Sequence, residues 1–235
     1  MPTFTVDSET NGGSDNPLLR VDLIPGESVI SEAGAMVMHS STVSIEGRLR
    51  GGLFKGLSRA FFSDETFFQV VSKCIGQPGY ICFAPSTPGA IAIEHLSEKE
   101  TPKLYLSDGA FLASSSTVTL GTETQSLAKA IFSDAGFFVM HASGYGHVAL
   151  NVFGGARRIE LAAGELLTVD NGHLVAWTTK YNVTKAARGL ISTAKSGEGI
   201  VFRMTGPGIV IVQTRNLSEL ASSLRYYIEK YAAGK

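Results

Sequence analysis

The chain has 235 residues, 44% of them hydrophobic and 17% charged, with 26 glycines. This is the composition of a turn-rich folded protein, and the length suits one large β domain or two small ones. Twenty Lys and Arg against 21 Asp and Glu give a formal net charge of -1, so the positive field that drives nucleic-acid binding is missing, and no run approaches the roughly 18 to 20 apolar residues of a membrane-spanning helix.

The N-terminal segment, residues 1–16, is polar and acidic. It contains Asp7, Glu9 and Asp15 but no Lys or Arg, and no apolar stretch follows it. A secretory signal needs basic residues followed by an apolar stretch, and a transit peptide needs arginines. We therefore expect residues 1–16 to form a flexible arm of a cytoplasmic protein, with Thr3 to Val6 as a candidate edge strand.

A two-strand element around a central glycine occurs three times. The turn glycines are Gly34, Gly109 and Gly172. Each precedes a short apolar run, at residues 36–38, 111–113 and 174–176. Glycine suits a point where a strand reverses and a positive φ is needed.

A second element follows each of the first elements in the same order. These second elements begin at Phe61, Ile131 and Ala194. Each leads through a turn glycine into an apolar strand, and these glycines are Gly79, Gly146 and Gly208. A single unit of this kind leaves two faces exposed, so three units must stack or close around a shared interior.

The pattern predicts an all-β fold in one compact domain. It consists of three pseudo-repeated, double-stranded β-helix-like units at residues 17–90, 91–154 and 155–215, with one C-terminal α-helix in residues 216–235. Asn216 can cap this helix, and Glu219 stands three residues later as in a capping box.

The predicted helix has an apolar stripe at helical spacing. Its members are Leu217, Leu220, Leu224, Ile228 and Tyr231. The stripe can pack on the chain's own sheets or recruit a partner. A membrane surface is a weaker interpretation, because the polar face is not notably basic.

The two cysteines, Cys74 and Cys82, flank Gly76 to Gly79. If those residues form a tight hairpin turn, the thiols are one register apart and point to opposite faces. We therefore expect two free thiols, which is typical of a reducing compartment.

The histidines and cysteines lack the usual metal-ligand spacings, and we expect neither a metal nor a cofactor. A double-stranded β-helix makes a cupin-like site the natural candidate, but the clustered His and Glu residues of such a site are missing. His141 and His147 flank the turn at Gly144 to Gly146 and are the best remaining pair across a hairpin.

Asp170 and His173 are the strongest candidates for acid–base chemistry, because a carboxylate and an imidazole lie three residues apart. The simpler interpretation is that residues 170–172 form an ordinary turn and His173 begins the next strand. The chain has no GxSxG nucleophile motif, and its glycine-rich stretches precede strands rather than the helix N-terminus that holds a phosphate.

Several phrases, in order from about Leu18 to Arg215, together resemble one family. They include residues 23–27, 32–36, 109–113, 169–177, 196–199, 206–208 and 213–215. The family is the mitochondrial biogenesis family named for altered inheritance of mitochondria, number twenty-four. The motif positions whose role is open are Gly26, Glu27, Gly34, Gly109, Phe111, Asp170, Gly172, His173, Gln213, Thr214 and Arg215.

The resemblance implies a fold similar to the trp RNA-binding attenuation protein, with its units repeated here within one chain. That relative forms rings and binds tryptophan and RNA, but a shared fold does not transfer function. The net charge and the lack of basic clusters with interleaved aromatics oppose RNA binding here. The family offers no agreed enzymatic activity to transfer, and its mitochondrial members are linked to inner-membrane organisation.

We expect a non-enzymatic scaffold that forms a homo-oligomer and contacts an unidentified protein partner. The alternative is a small-molecule binding module, with a ligand between β units near Trp177, Phe111 or Tyr145. An enzyme that uses Asp170 and His173 ranks third.

Overall fold

The computed structural model describes residues 1–7, 16–48, 69–101, 103–125, 137–185 and 200–232. The predicted starts at Phe61, Ile131 and Ala194 lie outside these ranges. Within them the chain forms antiparallel β-sheets and one C-terminal α-helix. The all-β prediction is therefore confirmed.

The strands form three successive sets of six, preceded by β1 (Thr3–Asp7). Repeat 1 contains β2 (Leu18–Leu23), β3 (Ser28–Glu32), β4 (Met36–His39), β5 (Val43–Arg48), β6 (Gln69–Cys74) and β7 (Gly79–Phe83). Repeat 2 contains β8 (Ile91–Leu96), β9 (Lys103–Leu106), β10 (Phe111–Ser115), β11 (Val118–Gln125), β12 (Phe137–Gly144) and β13 (Gly146–Asn151). Repeat 3 contains β14 (Ala156–Leu161), β15 (Leu166–Asp170), β16 (Leu174–Trp177), β17 (Lys180–Lys185), β18 (Ile200–Thr205) and β19 (Gly208–Gln213).

All three repeats share one pairing pattern. The first and third strands pair with the sixth. The second and fourth strands pair with the fifth. Each third strand also shifts register at the same point, which leaves Val37, Leu112 and Val175 as the extra residues. The same irregularity at the same place in each set shows that the repeats are structurally equivalent.

Strand pairing also joins consecutive repeats. The second strand of one repeat pairs with the third strand of the next, as β3 with β10 and β9 with β16. Four sheets result. Their strand orders are β1-β2-β7-β4 (sheet 1), β5-β6-β3-β10-β13-β8 (sheet 2), β11-β12-β9-β16-β19-β14 (sheet 3) and β15-β18-β17 (sheet 4).

The sheets stack as successive layers with an apolar core between each neighbouring pair. Leu19 and Phe83 of sheet 1 pack with Val29 of sheet 2. Further cores fill the spaces between sheets 2 and 3 and between sheets 3 and 4. The alternation of residues along each strand supplies one side chain in two to each core. Sheets 2 and 3 are therefore covered on both faces.

A part-buried hydrogen bond to a side-chain hydroxyl fixes the start of each sixth strand. The backbone N–H of Tyr80 donates to the Ser40 hydroxyl at 3.0 Å. In the same way the His147 N–H donates to Ser115 at 3.0 Å, and the Ile209 N–H donates to Thr178 at 2.9 Å. The residue directly before each of these N–H donors is one of the predicted turn glycines, Gly79, Gly146 and Gly208. At Gly146, for example, an added Cβ would lie 2.7 Å from the Ser115 side chain. Close backbone approach therefore explains the requirement for glycine.

The turns between fifth and sixth strands do not form the hairpins considered from sequence. Strands β6 and β7 belong to different sheets, and so do β12 and β13. Cys74 lies opposite Val43, whereas Cys82 lies opposite Arg20. Both cysteines are free and buried. The expected hairpin register was wrong because the fifth strand pairs with the second strand, and the sixth strand with the first, rather than with each other.

Helix α1 (Leu217–Ala232) begins where the capping pattern predicted. The Asn216 Oδ1 atom accepts hydrogen bonds from the backbone N–H groups of Ser218 and Glu219, at 2.9 and 3.3 Å. In the described ranges, no helix is both long and apolar enough to cross a bilayer.

Candidate functional site

Two strands at opposite ends of the repeat array have one edge that no strand of the described ranges pairs with. Strand β4 of repeat 1 is the last strand of sheet 1, and β15 of repeat 3 is the last strand of sheet 4. Their equivalents elsewhere pair with a neighbouring repeat, as β10 does with β3 and β9 with β16. Among the described residues, no repeat lies beside β4 or β15 in the way that repeats 1 and 2, and repeats 2 and 3, lie beside each other.

The side chains of β4 show the consequence of this missing neighbour. Val37 and Met38 are 52% and 47% exposed, whereas the equivalent Leu112 and Ala113 are fully buried. On β15, Leu166 is 75% exposed. Apolar side chains at one structural position are thus buried or exposed according to whether a neighbouring repeat covers them.

The strand orders of sheets 4 and 1 match the two halves of the order that sheets 2 and 3 share. Sheets 2 and 3 both run fourth, fifth and second strand of one repeat, then third, sixth and first strand of the next. Sheet 4, read from β17 to β15, has the first half of this order. Sheet 1, read from β4 to β2, has the second half, with β1 added at its far edge.

The register of a joint between β15 and β4 can be derived from the two junctions within the chain, β3 with β10 and β9 with β16. Ser31 lies opposite Ala113, and Leu106 lies opposite Ala176. In each pair, the first residue lies three positions before its repeat's turn glycine and the second lies four positions after its own. Applied to a joint between two copies, the same rule would place Val169 of one copy opposite Met38 of the other, and Thr168 opposite His39.

Neither edge carries the usual protection against pairing. Exposed edges are commonly blocked by Lys, by Pro or by inward-pointing charges. Strand β4 is Met-Val-Met-His, and β15 has one charged residue, Asp170, at its end. These edges therefore allow the addition of another strand.

The motif residues Gly26 and Glu27 form the turn before β3. Gly26 has φ +90°, and a Glu27 carboxylate oxygen accepts the Ile24 N–H at 3.0 Å. Glu165 makes the equivalent bond to Ala162 in repeat 3 at 2.8 Å. The recurrence of this contact favours a role in turn formation.

Gly34, Gly109 and Phe111 belong to the turns between second and third strands. Gly34 and Gly109 adopt positive φ values of 85° and 69°. The buried Asn151 amide donates to the carbonyls of Gly109 and Phe111, both at 3.1 Å. The Phe111 side chain lies in the core between sheets 2 and 3.

The motif residues of repeat 3 anchor the end of β19. The His173 ring contacts the Gln213 carbonyl at 2.8 Å, and the Gln213 amide donates to the Gly172 carbonyl at 2.9 Å. Thr214 accepts the Gly155 N–H at 2.8 Å, and the Arg215 N–H donates to the Phe153 carbonyl. The end of β19 is thus fixed to the β15–β16 turn and to the connection between repeats 2 and 3.

Asp170 and His173 have different hydrogen-bond partners. An Asp170 carboxylate oxygen accepts the Gly172 N–H at 2.8 Å and caps the single 3-10 turn at Asn171–His173. The His173 ring contacts the Gln213 carbonyl instead. Among the described contacts, the structure does not bring this carboxylate and imidazole together as an acid–base pair.

The interior near Trp177 is filled by the chain's own aromatic residues. Trp177 is 1% exposed and lies 5.7, 5.2 and 5.4 Å, between ring centroids, from Tyr105, Tyr181 and Phe202. The Trp177 Nε1 and Tyr181 hydroxyl groups are buried without a hydrogen-bond partner, and burial strongly raises the pKa of Tyr181. Tyr145, by contrast, lies at the surface.

His141 and His147 do not meet across a hairpin. His147 lies opposite His95, with ring centroids 5.1 Å apart, whereas His141 lies opposite Tyr105. Burial and the nearby His95 lower the pKa of His147. The described part of the chain contains no cluster of three or more His, Cys, Asp or Glu residues suited to a metal ion.

Comparison with known proteins places this repeat architecture in one family. The model of the mitochondrial biogenesis AIM24 family matches residues 9–215. The chain belongs to that family, and the resemblance found in the sequence is confirmed.

Two relatives from Streptococcus pyogenes extend the comparison. An uncharacterised protein of serotype M6 is 34% identical over 221 residues, which cover 90% of this chain and 87% of that protein. A crystal structure of an S. pyogenes protein has 32% identity and a TM-score of 0.77, covering 97% of this chain and 100% of the other.

Proposed function

We propose that this protein is a non-enzymatic scaffold that assembles head to tail from copies of itself. Strand β15 of one copy pairs with β4 of the next. The observation that supports this is that the strand orders of sheets 4 and 1 match the two halves of the six-stranded order in sheets 2 and 3. Pairing across copies restores the order of sheets 2 and 3 and covers the apolar side chains exposed on β4.

The joint is heterologous, because two different surfaces of the chain meet. Repetition of such a contact gives a ring when the rotation between copies closes, and a filament when it does not. Burial of a large apolar side chain contributes about 1.5–3 kcal/mol. Val37, Met38 and Leu166 can therefore supply part of the association free energy beside the backbone hydrogen bonds.

The assembly mass of charged variants tests this proposal. Val37→Asp and Met38→Asp place two carboxylates on the free edge of β4, and Ile75→Asp with Ile24→Asp is the control. Ile75 and Ile24 are comparably exposed but lie outside the two free strands. We expect multi-angle light scattering to give multimers for wild type and control and monomers for the β4 variant. A monomeric wild type at micromolar concentration would contradict the proposal.

The cytoplasm is the location that we infer. Two free, buried cysteines are typical of a reducing compartment. A repeated sheet surface suits an unidentified protein partner better than a nucleic acid, because the chain has a net charge of -1.

A small-molecule binding module remains the second candidate. Its support is the pair of buried donors, Trp177 Nε1 and the Tyr181 hydroxyl, that have no acceptor. Because the chain's own rings fill this interior, a ligand would have to displace part of that packing and bring an oxygen acceptor to each donor. Thermal unfolding with and without tryptophan tests this candidate, which predicts a rise in Tm that Trp177→Phe abolishes.

A further inference from the structure

Helix α1 carries a large apolar surface that the described chain leaves uncovered. The exposed members of its stripe are Leu217, Leu220, Leu224, Ile228 and Tyr231, which are 50, 40, 53, 66 and 72% exposed. A stripe packed on the chain's own sheets, one of the sequence-based interpretations, would be buried. A partner is therefore needed to cover it.

The path of the chain indicates where α1 leads. The connection at residues 84–90 runs from β7 of sheet 1 to β8 of sheet 2, and residues 152–155 run from β13 of sheet 2 to β14 of sheet 3. Backbone hydrogen bonds tie these connections side by side, including Ala90 N–H to the Gly154 carbonyl. Each sixth strand thus leads to the first strand of the next sheet.

After β19 the same path continues, and the described residues that follow form α1 rather than a strand. Residues 214 and 215 are bonded to the second connection, through Thr214 N–H to the Gly155 carbonyl. The sheet beyond sheet 3 is sheet 4, whose missing first strand is, in the proposed assembly, β2 of the next copy. Helix α1 therefore leaves this copy toward repeat 1 of its neighbour.

The start of α1 also adjoins the free strand β15. Asn216 packs against Gly172, where an added Cβ would lie 2.1 Å from the Asn216 amide nitrogen. Gly172 is two residues beyond Asp170, the end of β15. The helix cap and the proposed joint are thus adjacent.

The helix is long enough to span this joint. Sixteen residues of α-helix extend about 24 Å, whereas packed sheets are about 10 Å apart. The helix carries Glu219, Arg225, Glu229 and Lys230, so its charges balance and give no attraction to an anionic membrane.

We infer that the apolar stripe of α1 packs on repeat 1 of the neighbouring copy and acts as a clasp for the strand joint. This inference rests on the proposed head-to-tail assembly. The occupant is a second copy of this chain, because the connections direct α1 to the surface where that copy would pair.

The test changes one face of the helix while keeping its helical propensity. The clasp variant combines Leu220→Gln, Leu224→Gln and Ile228→Gln. The control combines Ser222→Gln, Tyr226→Gln and Glu229→Gln on the opposite face, where Tyr226 is 60% exposed. Sedimentation velocity then measures the dissociation constant of each assembly.

We expect the clasp variant to dissociate at least about tenfold more readily than wild type, and the control to match wild type. Circular dichroism checks that the helix remains. An unchanged dissociation constant in the clasp variant would overturn the inference while leaving the strand joint intact. The inference would also be overturned if the clasp variant lost binding to anionic lipid vesicles while its assembly dissociation constant stayed unchanged. The stripe would then bind a membrane rather than a second copy.

Discussion

Leu106 of β9 and Ala176 of β16 lie directly opposite each other although they belong to different repeats. This pairing and its counterpart between Ser31 and Ala113 join the three repeats into continuous sheets. Val169 and Met38 occupy the corresponding positions at the two ends of the array, where no described strand pairs on the outer side of β15 or β4. The fold is therefore a repeat array whose two end sheets carry the two halves of the internal strand order.

Loss of one turn hydroxyl should destabilise the fold. In Ser115→Ala, the part-buried His147 N–H loses its acceptor, the buried Ser115 hydroxyl at 3.0 Å, and the loss of such a bond costs about 0.5–1.5 kcal/mol. The control is Ser116→Ala, at an exposed neighbouring position. Urea unfolding should show a loss only for Ser115→Ala, and equal stability of both variants would contradict the role of the hydroxyl.

Two glycines with positive φ should respond differently to alanine. At Gly146, with φ +129°, the new methyl group meets the Ser115 side chain at 2.7 Å, whereas Gly26, with φ +90°, has open space around it. We expect Gly26→Ala to cost about 1–2 kcal/mol from backbone strain alone. Gly146→Ala should cost about 2–4 kcal/mol, because overpacking adds to the strain. Similar unfolding free energies for both variants would argue against the close approach.

Much of this architecture could be predicted from sequence because its signals are local. The glycines Gly79, Gly146 and Gly208 mark strand starts through steric need, and Asn216 marks a helix start through a capping bond. The order of elements then predicted three units. Local signals identify where strands begin and end, so the fold class and the helix followed from them.

The structure was needed to learn which sheet each strand joins and which strands lie at an exposed edge. The residues around Gly76 to Gly79 indicate a turn, but not that β6 and β7 enter different sheets. The apolar run at Met36 to Met38 resembles the equivalent buried runs in repeats 2 and 3, so sequence alone does not distinguish an exposed edge from a core strand. The available signal was position, because the first and last members of an array lack one neighbour each.

Acid should destabilise the fold through His147. Burial and the nearby His95 lower the pKa of His147, so the folded state favours the neutral ring. Below the unfolded value of about 6.5, the unfolded chain binds more protons, and this contribution to stability is lost as the pH falls toward the folded value. We expect the unfolding free energy to decline as the pH falls below about 7, and the decline to be smaller in His147→Gln. An equally steep decline in that variant would exclude His147 as the cause.

The buried hydroxyl of Tyr181 should contribute no stability. It has no partner, whereas the Tyr105 hydroxyl donates to the Glu123 carboxylate at 3.3 Å. Tyr181→Phe should be neutral or stabilising by up to about 1 kcal/mol, and the matched Tyr105→Phe should lose about 0.5–1.5 kcal/mol. A comparable loss for Tyr181→Phe would show that the hydroxyl has an acceptor in solution and would favour the ligand-binding candidate.

Disulfide formation between copies tests head-to-tail pairing most directly. One preparation carries His39→Cys and the other Thr168→Cys, and both native cysteines are buried. Directly opposed residues of paired strands have Cβ atoms about 4.5–5.5 Å apart, so a small local shift brings them to the roughly 3.5–4.5 Å of a disulfide. In the control, the second preparation carries Leu166→Cys instead of Thr168→Cys, and this position is two residues out of register with His39. Pairing of β15 with β4 predicts a linked dimer of one chain of each kind from His39→Cys with Thr168→Cys, and much less from the control. Folded preparations that form no such dimer, or form it equally with the control, would contradict it.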